Sequence, residues 1–219
     1  MAELARLHPL EQIEAELAGR SNPPVTITAD PFVAMVDVRL PADVSGTELL
    51  GARLPTTPNT WEANDAVRAI WLGPDEWLLT STAHTPDELT GRVRETVRPL
   101  GGTVVDVSAQ RIGVRLTGRR VRDVLAKGCS IDLHPRVFGR GSAAQTTIGQ
   151  AGVILLALSD AGSVDRGAVD RGGVDRHDYL VLVRSSFAGY LADWLLDAAQ
   201  EFSTEEFADP TTDPTSSQE

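Results

Sequence analysis

Between Thr103 and Phe138 the chain reads TVVDVSAQRIGVRLTGRRVRDVLAKGCSIDLHPRVF, and apolar and polar positions follow a clear order. Val104, Val105 and Val107 form a β-branched run. Ile112, Val114 and Leu116 then alternate with Arg111 and Arg115, which predicts a half-buried strand. Thr117 is placed to cap a following helix whose apolar positions Val121, Val124 and Leu125 share one stripe, with Arg119, Arg120, Arg122 and Lys127 turned to water. Gly128 is expected to end that helix as a C-terminal cap. Strand, turn, strand, helix and stop make a packing unit of an α+β domain rather than an active site.

The same patterning organises the rest. Ala34, Val36, Val38 and Leu40 against Asp37 and Arg39 predict a strand over Val33 to Leu40, followed by a weak helix over Ser45 to Leu54 and a loop from Thr56 to Asn64. In Ala66 to Thr80 two apolar runs flank Gly73-Pro74-Asp75-Glu76, giving a β-hairpin with Trp71 and Trp77 near its mouth. Thr85-Pro86-Asp87-Glu88 supplies an N-cap, a proline at the first helical position and acids in the first turn, and Leu89, Val93 and Val97 carry that helix onward. A second hairpin is expected around Gly149-Gln150, then a strand at Tyr179 to Val183 and a closing helix from Phe187 to Ala199.

Taken in order, residues 33–107 give strand, helix, strand, strand, helix, strand. Residues 111–200 echo this imperfectly. The expected fold is therefore α+β, with ferredoxin-like split βαβ layers, duplicated, in one domain over residues 30–202 with sub-layers at about 33–107 and 111–200. Residues 1–29 are read as an N-terminal arm with a short helix at Pro9 to Leu17. Residues 161–177, holding SVDRGAVDRGGVDRH, are read as a flexible insert, and 203–219 as a disordered acidic tail.

Composition narrows the partners. Across 219 residues the formal net charge is −11, which argues against nucleic acid. The single cysteine, Cys129, excludes an internal disulfide, and no apolar run is long enough to span a membrane, so a cytoplasmic protein is expected.

Candidate chemistry is sparse. Cys129 and His134 invite a thiol–imidazole reading, but a lone cysteine after a helix is more often packing. His8, His84, His134 and His177 are scattered, so no metal site is expected. Asp75 and Glu76 fit a turn better than an acid pair, and Gly139-Arg140-Gly141 lacks the third glycine of a phosphate loop. Asp106, Ser108 and Arg111 cluster at a strand turn, where Asp and Ser commonly satisfy turn amides. What stands out is aromatic placement near loops: Trp61, Trp71 and Trp77 are candidates for binding a partner subunit.

Trp71-Leu72-Gly73-Pro74-Asp75-Glu76-Trp77-Leu78-Leu79, together with Asp106 to Arg111, Leu116-Thr117-Gly118, Val124-Leu125, Gly128-Cys129, Asp132-Leu133, Phe138, Gly152, Tyr179 and Ser186-Phe187, resembles the gamma subunit family of heterotetrameric sarcosine oxidase. The resemblance covers most of residues 30–200. It implies a fold similar to part of the aminomethyltransferase (glycine-cleavage T-protein) folate-binding superfamily, in which an Asp-x-Ser strand end precedes a strand and a Gly-led helix. Ala109-Gln110 departs from those relatives, which tend to carry histidine or another polar residue after the serine. The implied role is a noncatalytic subunit packed on the alpha subunit, with beta and delta subunits in the same complex. That complex uses FAD, FMN, NAD and tetrahydrofolate and converts sarcosine to glycine, hydrogen peroxide and methylenetetrahydrofolate. No cofactor, metal or catalytic residue is implied for this chain. The alternative is a free-standing folate-dependent one-carbon transferase or folate-binding protein.

Overall fold

The computed structural model describes residues 9–10, 24–30, 32–44, 46–159 and 177–202. The strands are β1 (Thr26–Ala29), β2 (Ala34–Arg39), β3 (Glu48–Leu49), β4 (Ala52–Arg53), β5 (Trp61–Ala63), β6 (Arg68–Gly73), β7 (Glu76–Ser81), β8 (Thr103–Asp106), β9 (Arg111–Gly118), β10 (Ala143–Ile148), β11 (Ala151–Ala157) and β12 (His177–Arg184). The helices are α1 (Pro86–Val97), α2 (Val121–Ala126) and α3 (Ala188–Ala199).

Two antiparallel five-stranded sheets carry the fold, ordered β5-β6-β7-β2-β8 and β1-β9-β12-β11-β10. In the first sheet, β6-β7-β2-β8 is the strand order of a split βαβ layer, with α1 as the crossover into β8. The second sheet has the same plan with one substitution. After β12 the chain passes into α3, and the fourth strand position beside β9 is filled by β1, which pairs Thr26↔Thr117 through Ala29↔Val114.

Period-2 alternation sorts the side chains into three cores. Val36, Val38, Trp77 and Leu79 pack outward with Leu89, Val93 and Val97 of α1. Val114, Leu116, Leu155 and Val181 pack with Val124 and Leu125 of α2 and with Leu191 and Leu195 of α3. Met35, Ile70 and Leu78 meet Ile154, Leu156, Leu180 and Leu182 between the sheets. The layers are therefore helix, sheet, sheet, helices. α1 begins as expected: Glu88 N–H donates to Thr85 Oγ1 at 3.3 Å while Thr85 N–H donates to Glu88 Oε2 at 2.9 Å, a complete capping box.

Several expectations are corrected. The helix expected over Ser45 to Leu54 is absent from residues 46–54, where β3 and β4 form a tight hairpin whose turn holds Leu50 at φ +53° and Gly51 at φ +77°, a pair of left-handed residues that a helix cannot contain. Trp61 to Ala63, read as loop, is the edge strand β5, because Trp61 can hide half its indole between the sheets. Residues 26–29, assigned to the arm, belong to the second sheet. Thr117 stays in β9, and α2 starts at Val121, with Arg120 at the N-cap position making no side-chain cap. Gly128 does not take a left-handed cap; a Cβ there would lie 2.4 Å from Trp194 Cζ2, so glycine lets α2 and α3 approach. His177, the last residue of the expected insert, is a buried member of β12. Most of the Pro9 to Leu17 helix, residues 161–176 and the tail from 203 lie outside the described residues.

Candidate functional site

The dry layer between the sheets gives way to charge at two places. At the first, β6 places Arg68 on the inner face one alternate position before Ile70, and the chain leaving β1 brings in Asp30, whose N–H donates to Gly113 O at 2.9 Å. Gly113 makes room: a Cβ there would lie 2.8 Å from Asp30 Cβ. On the neighbouring strands Arg115 grips Asp178 with both arms of its guanidinium, Nε to Oδ1 at 3.0 Å and Nη2 to Oδ2 at 2.5 Å. Asp30, Arg68, Gly113 and Arg115, with Thr80, Ala63 and Leu180, wall a cavity of about 320 Å³. Burial pushes the Asp30 carboxyl above its ordinary range, against the pull of Arg115 and Arg68. Burial likewise lowers the Arg68 guanidinium. The Arg68 head lies 5.1 Å over the Trp61 ring.

The second cluster lies along the same inner face at the other end of β2. Arg39 Nη2 pairs with Glu76 Oε2 at 2.8 Å and its Nη1 reaches Asp75 Oδ2 at 3.4 Å. Asp37 is pushed up to about 6, first by burial and then by the charge of Glu76 and a hydrogen bond to it. Val105, opposite Asp37 in the β2–β8 register, is 58% exposed. Neither Asp37 nor Glu76 lines the cavity.

The three tryptophans do not form one patch. Trp77 is 0% exposed, with its Nε1–H donating to Pro55 O at 2.8 Å, so it is core and offers a partner no surface. Trp71, facing it across the hairpin, is half-buried on the outer side. Trp61 lies on the opposite face and donates Nε1–H to Ala157 O at 3.1 Å, tying the first sheet to the second.

The other candidates resolve into structure. Ser108 is buried; its Oγ accepts from Met35 N–H at 2.9 Å and donates to Asp106 Oδ1 at 2.6 Å, which fastens the passage from β8 to β9. Cys129 packs in the second sheet's helix-side core, while His134 is exposed and its Nδ1 accepts from Arg136 N–H at 3.2 Å. Gly141, in the glycine pair considered for phosphate, uses its carbonyl to accept from Trp61 N–H at 2.8 Å. Asp75 sits in the β6–β7 turn, with its carboxylate 3.4 Å from Arg39 Nη1. Among the described residues no group of His, Cys, Asp and Glu could hold a metal ion, and no helix is long and apolar enough to cross a membrane. Asp30, Arg68 and the Asp37–Glu76 pair escaped sequence reading, although a charge on the inward phase of an alternating strand was the signal available for Arg68 and Asp37.

The family model "Sarcosine oxidase, gamma subunit family" matches residues 36–201. The sarcosine oxidase subunit gamma of Corynebacterium sp. (strain P-1) is 30% identical over 93% of this chain and 94% of its own length. That of an Arthrobacter species is 31% identical over 91% and 92%. Among solved structures, a chain of the heterotetrameric sarcosine oxidase from Corynebacterium sp. U-96, in complex with pyrrole 2-carboxylate, superposes with a TM-score of 0.75 at 27% identity, covering 93% of this chain and 99% of that one. The glycine cleavage system aminomethyltransferase T of Bartonella henselae matches with a TM-score of 0.55 at 13% identity over 83% of this chain and 48% of that one, a likeness in fold alone.

Proposed function

The chain belongs to the sarcosine oxidase gamma subunit family, and on that footing we propose that it is the noncatalytic gamma-type subunit of a sarcosine oxidase complex. It packs directly on an alpha-type chain, beside beta- and delta-type chains, in a cytoplasmic assembly. The assembly oxidatively demethylates sarcosine to glycine, giving hydrogen peroxide and methylenetetrahydrofolate. FAD, FMN, NAD and tetrahydrofolate are held by the other chains, and this one contributes structure.

The observation that carries the reading is correspondence over nearly the whole length, 93% of this chain and 99% of a chain from a solved heterotetramer. The site chemistry agrees with it: Ser108, Cys129 and His134 are spent on turns and packing. Among the three tryptophans Trp71 remains the partner contact, half-exposed on the hairpin with buried Trp77 behind it and Trp61 turned to the other face.

Two measurements test this reading. An affinity-tagged alpha-type chain is expected to capture the wild-type protein and to lose it when Trp71 becomes Ala, provided the variant folds. Titration of the purified chain with tetrahydrofolate is expected to show no saturable binding; a Kd of about 1 μM, roughly −8 kcal/mol, would make it a folate-binding protein in its own right and overturn the reading.

A further inference from the structure

The cavity between the sheets holds an ionic arrangement that a scaffolding role leaves unused. Two guanidiniums reach its wall, and they are not equivalent. Arg115 already has a carboxylate, bound bidentately by Asp178. Arg68 has no ion pair among the described residues, and its buried Nε makes no hydrogen bond. The Arg68 head lies 5.1 Å over the Trp61 ring, which restrains its plane. Arg68 is half-buried and feels the charge of Asp30 without an ion pair to it, which leaves room for an anion that satisfies a planar fork.

The remaining wall selects among anions. Asp30 and Asp65 both line the cavity, so a phosphate dianion would meet like charge on two sides. A carboxylate brings one charge, spread over the two oxygens that match the fork of an arginine. Thr80 lies opposite Arg68 in the β6–β7 register and adds a hydroxyl donor at the same wall. A volume of about 320 Å³ stands at the small end of ligand sites.

We propose that this cavity binds a small organic carboxylate, held bidentately by Arg68 on the face of Trp61. The same chemistry could come from an acidic side chain of a neighbouring subunit, and the test separates the two sources. The full chain is titrated calorimetrically with benzoate and with benzamide, its neutral isostere. Benzoate is expected to bind saturably with a Kd of about 1 mM or tighter, and benzamide not at all. Arg68→Met is expected to weaken benzoate at least about tenfold and Arg68→Lys less, with unfolding midpoints near wild type. A readout independent of the variants is the Arg68 Nε–H resonance of the wild-type chain, which is expected to shift as benzoate is added. The proposal is overturned if benzoate and benzamide bind alike, if neither saturates by about 10 mM, or if Arg68→Met keeps wild-type affinity. It is also overturned if loss of Arg68 weakens only capture by the alpha-type chain, since the carboxylate would then belong to the partner. None of these failures touches the subunit reading, which rests on family membership and assembly.

Discussion

Trp77 offers a sharp test of where the first sheet keeps its stability. The indole is 0% exposed, packed among Val38, Leu79, Leu89 and Val93, and its N–H satisfies the Pro55 carbonyl at 2.8 Å. Trp77→Ala removes the largest side chain of that core and leaves a cavity that β2, β7 and α1 cannot all collapse into, a loss of about 3–5 kcal/mol. Domains of this kind have about 5–15 kcal/mol in total, so the variant gives up roughly a fifth of its stability or more. In urea, with a slope of about 2 kcal/mol per molar, the midpoint should fall by about 2 M. Trp77→Phe separates the two components: most packing survives, and the Pro55 carbonyl is left without its donor, a loss of about 1–3 kcal/mol. Trp71→Ala, from a half-exposed position, should lose less than half as much as Trp77→Ala. The measurement is equilibrium urea unfolding of the full chain followed by far-ultraviolet circular dichroism. If Trp77→Ala lost less than about 1 kcal/mol, the burial assigned to this indole would be wrong.

Other substitutions probe separate joints. Asp37 sits at about 6 in the fold against about 3.9 unfolded, so its contribution to stability is fully present below about pH 4 and is lost as pH rises through about 6; Asp37→Asn should unfold at a higher temperature than wild type near neutral pH and match it near pH 4, and a gain that is the same at both would refute the assignment. Gly128→Ala sets a methyl against the Trp194 ring and the Gly149 amide, for which we expect a loss of about 1–3 kcal/mol in thermal unfolding, whereas Gly152→Ala, with open space around its Cβ, should do little by comparison. Ser108→Ala leaves the Met35 N–H and the Asp106 carboxylate without their shared hydroxyl, and should cost about 1–3 kcal/mol along with faster hydrogen exchange at Met35.

What could be read from the chain depended on whether the deciding force was local. The α1 capping box, the Gly73–Glu76 hairpin and the hairpin at Gly149 are written in neighbouring residues, so the two βαβ-like layers were legible. Leu50 and Gly51 were not: a leucine with positive φ is stabilised by the hairpin around it, and its own propensity points elsewhere. Nor could the sequence show that β1 would be drawn from before the first layer to complete the second, because its partner β9 lies about 90 residues further along the chain. The same distance hid the cavity. Arg68 comes from β6 of one sheet, Arg115 from β9 of the other and Asp30 from the chain leaving β1, and only the stacking of the sheets makes them neighbours. The tryptophans were visible as unusual residues, but whether an indole faces a core, a seam or solvent is settled by strand phase, which divided Trp77, Trp61 and Trp71 among the three.

The subunit reading is tested most directly by co-expressing this chain with its alpha-, beta- and delta-type partners and weighing the purified complex by native mass spectrometry. The account predicts one assembly that contains all four chains, with this one released only under conditions that also free the alpha-type chain from it. A stable, active oxidase formed by the other three chains while this one elutes alone would contradict it.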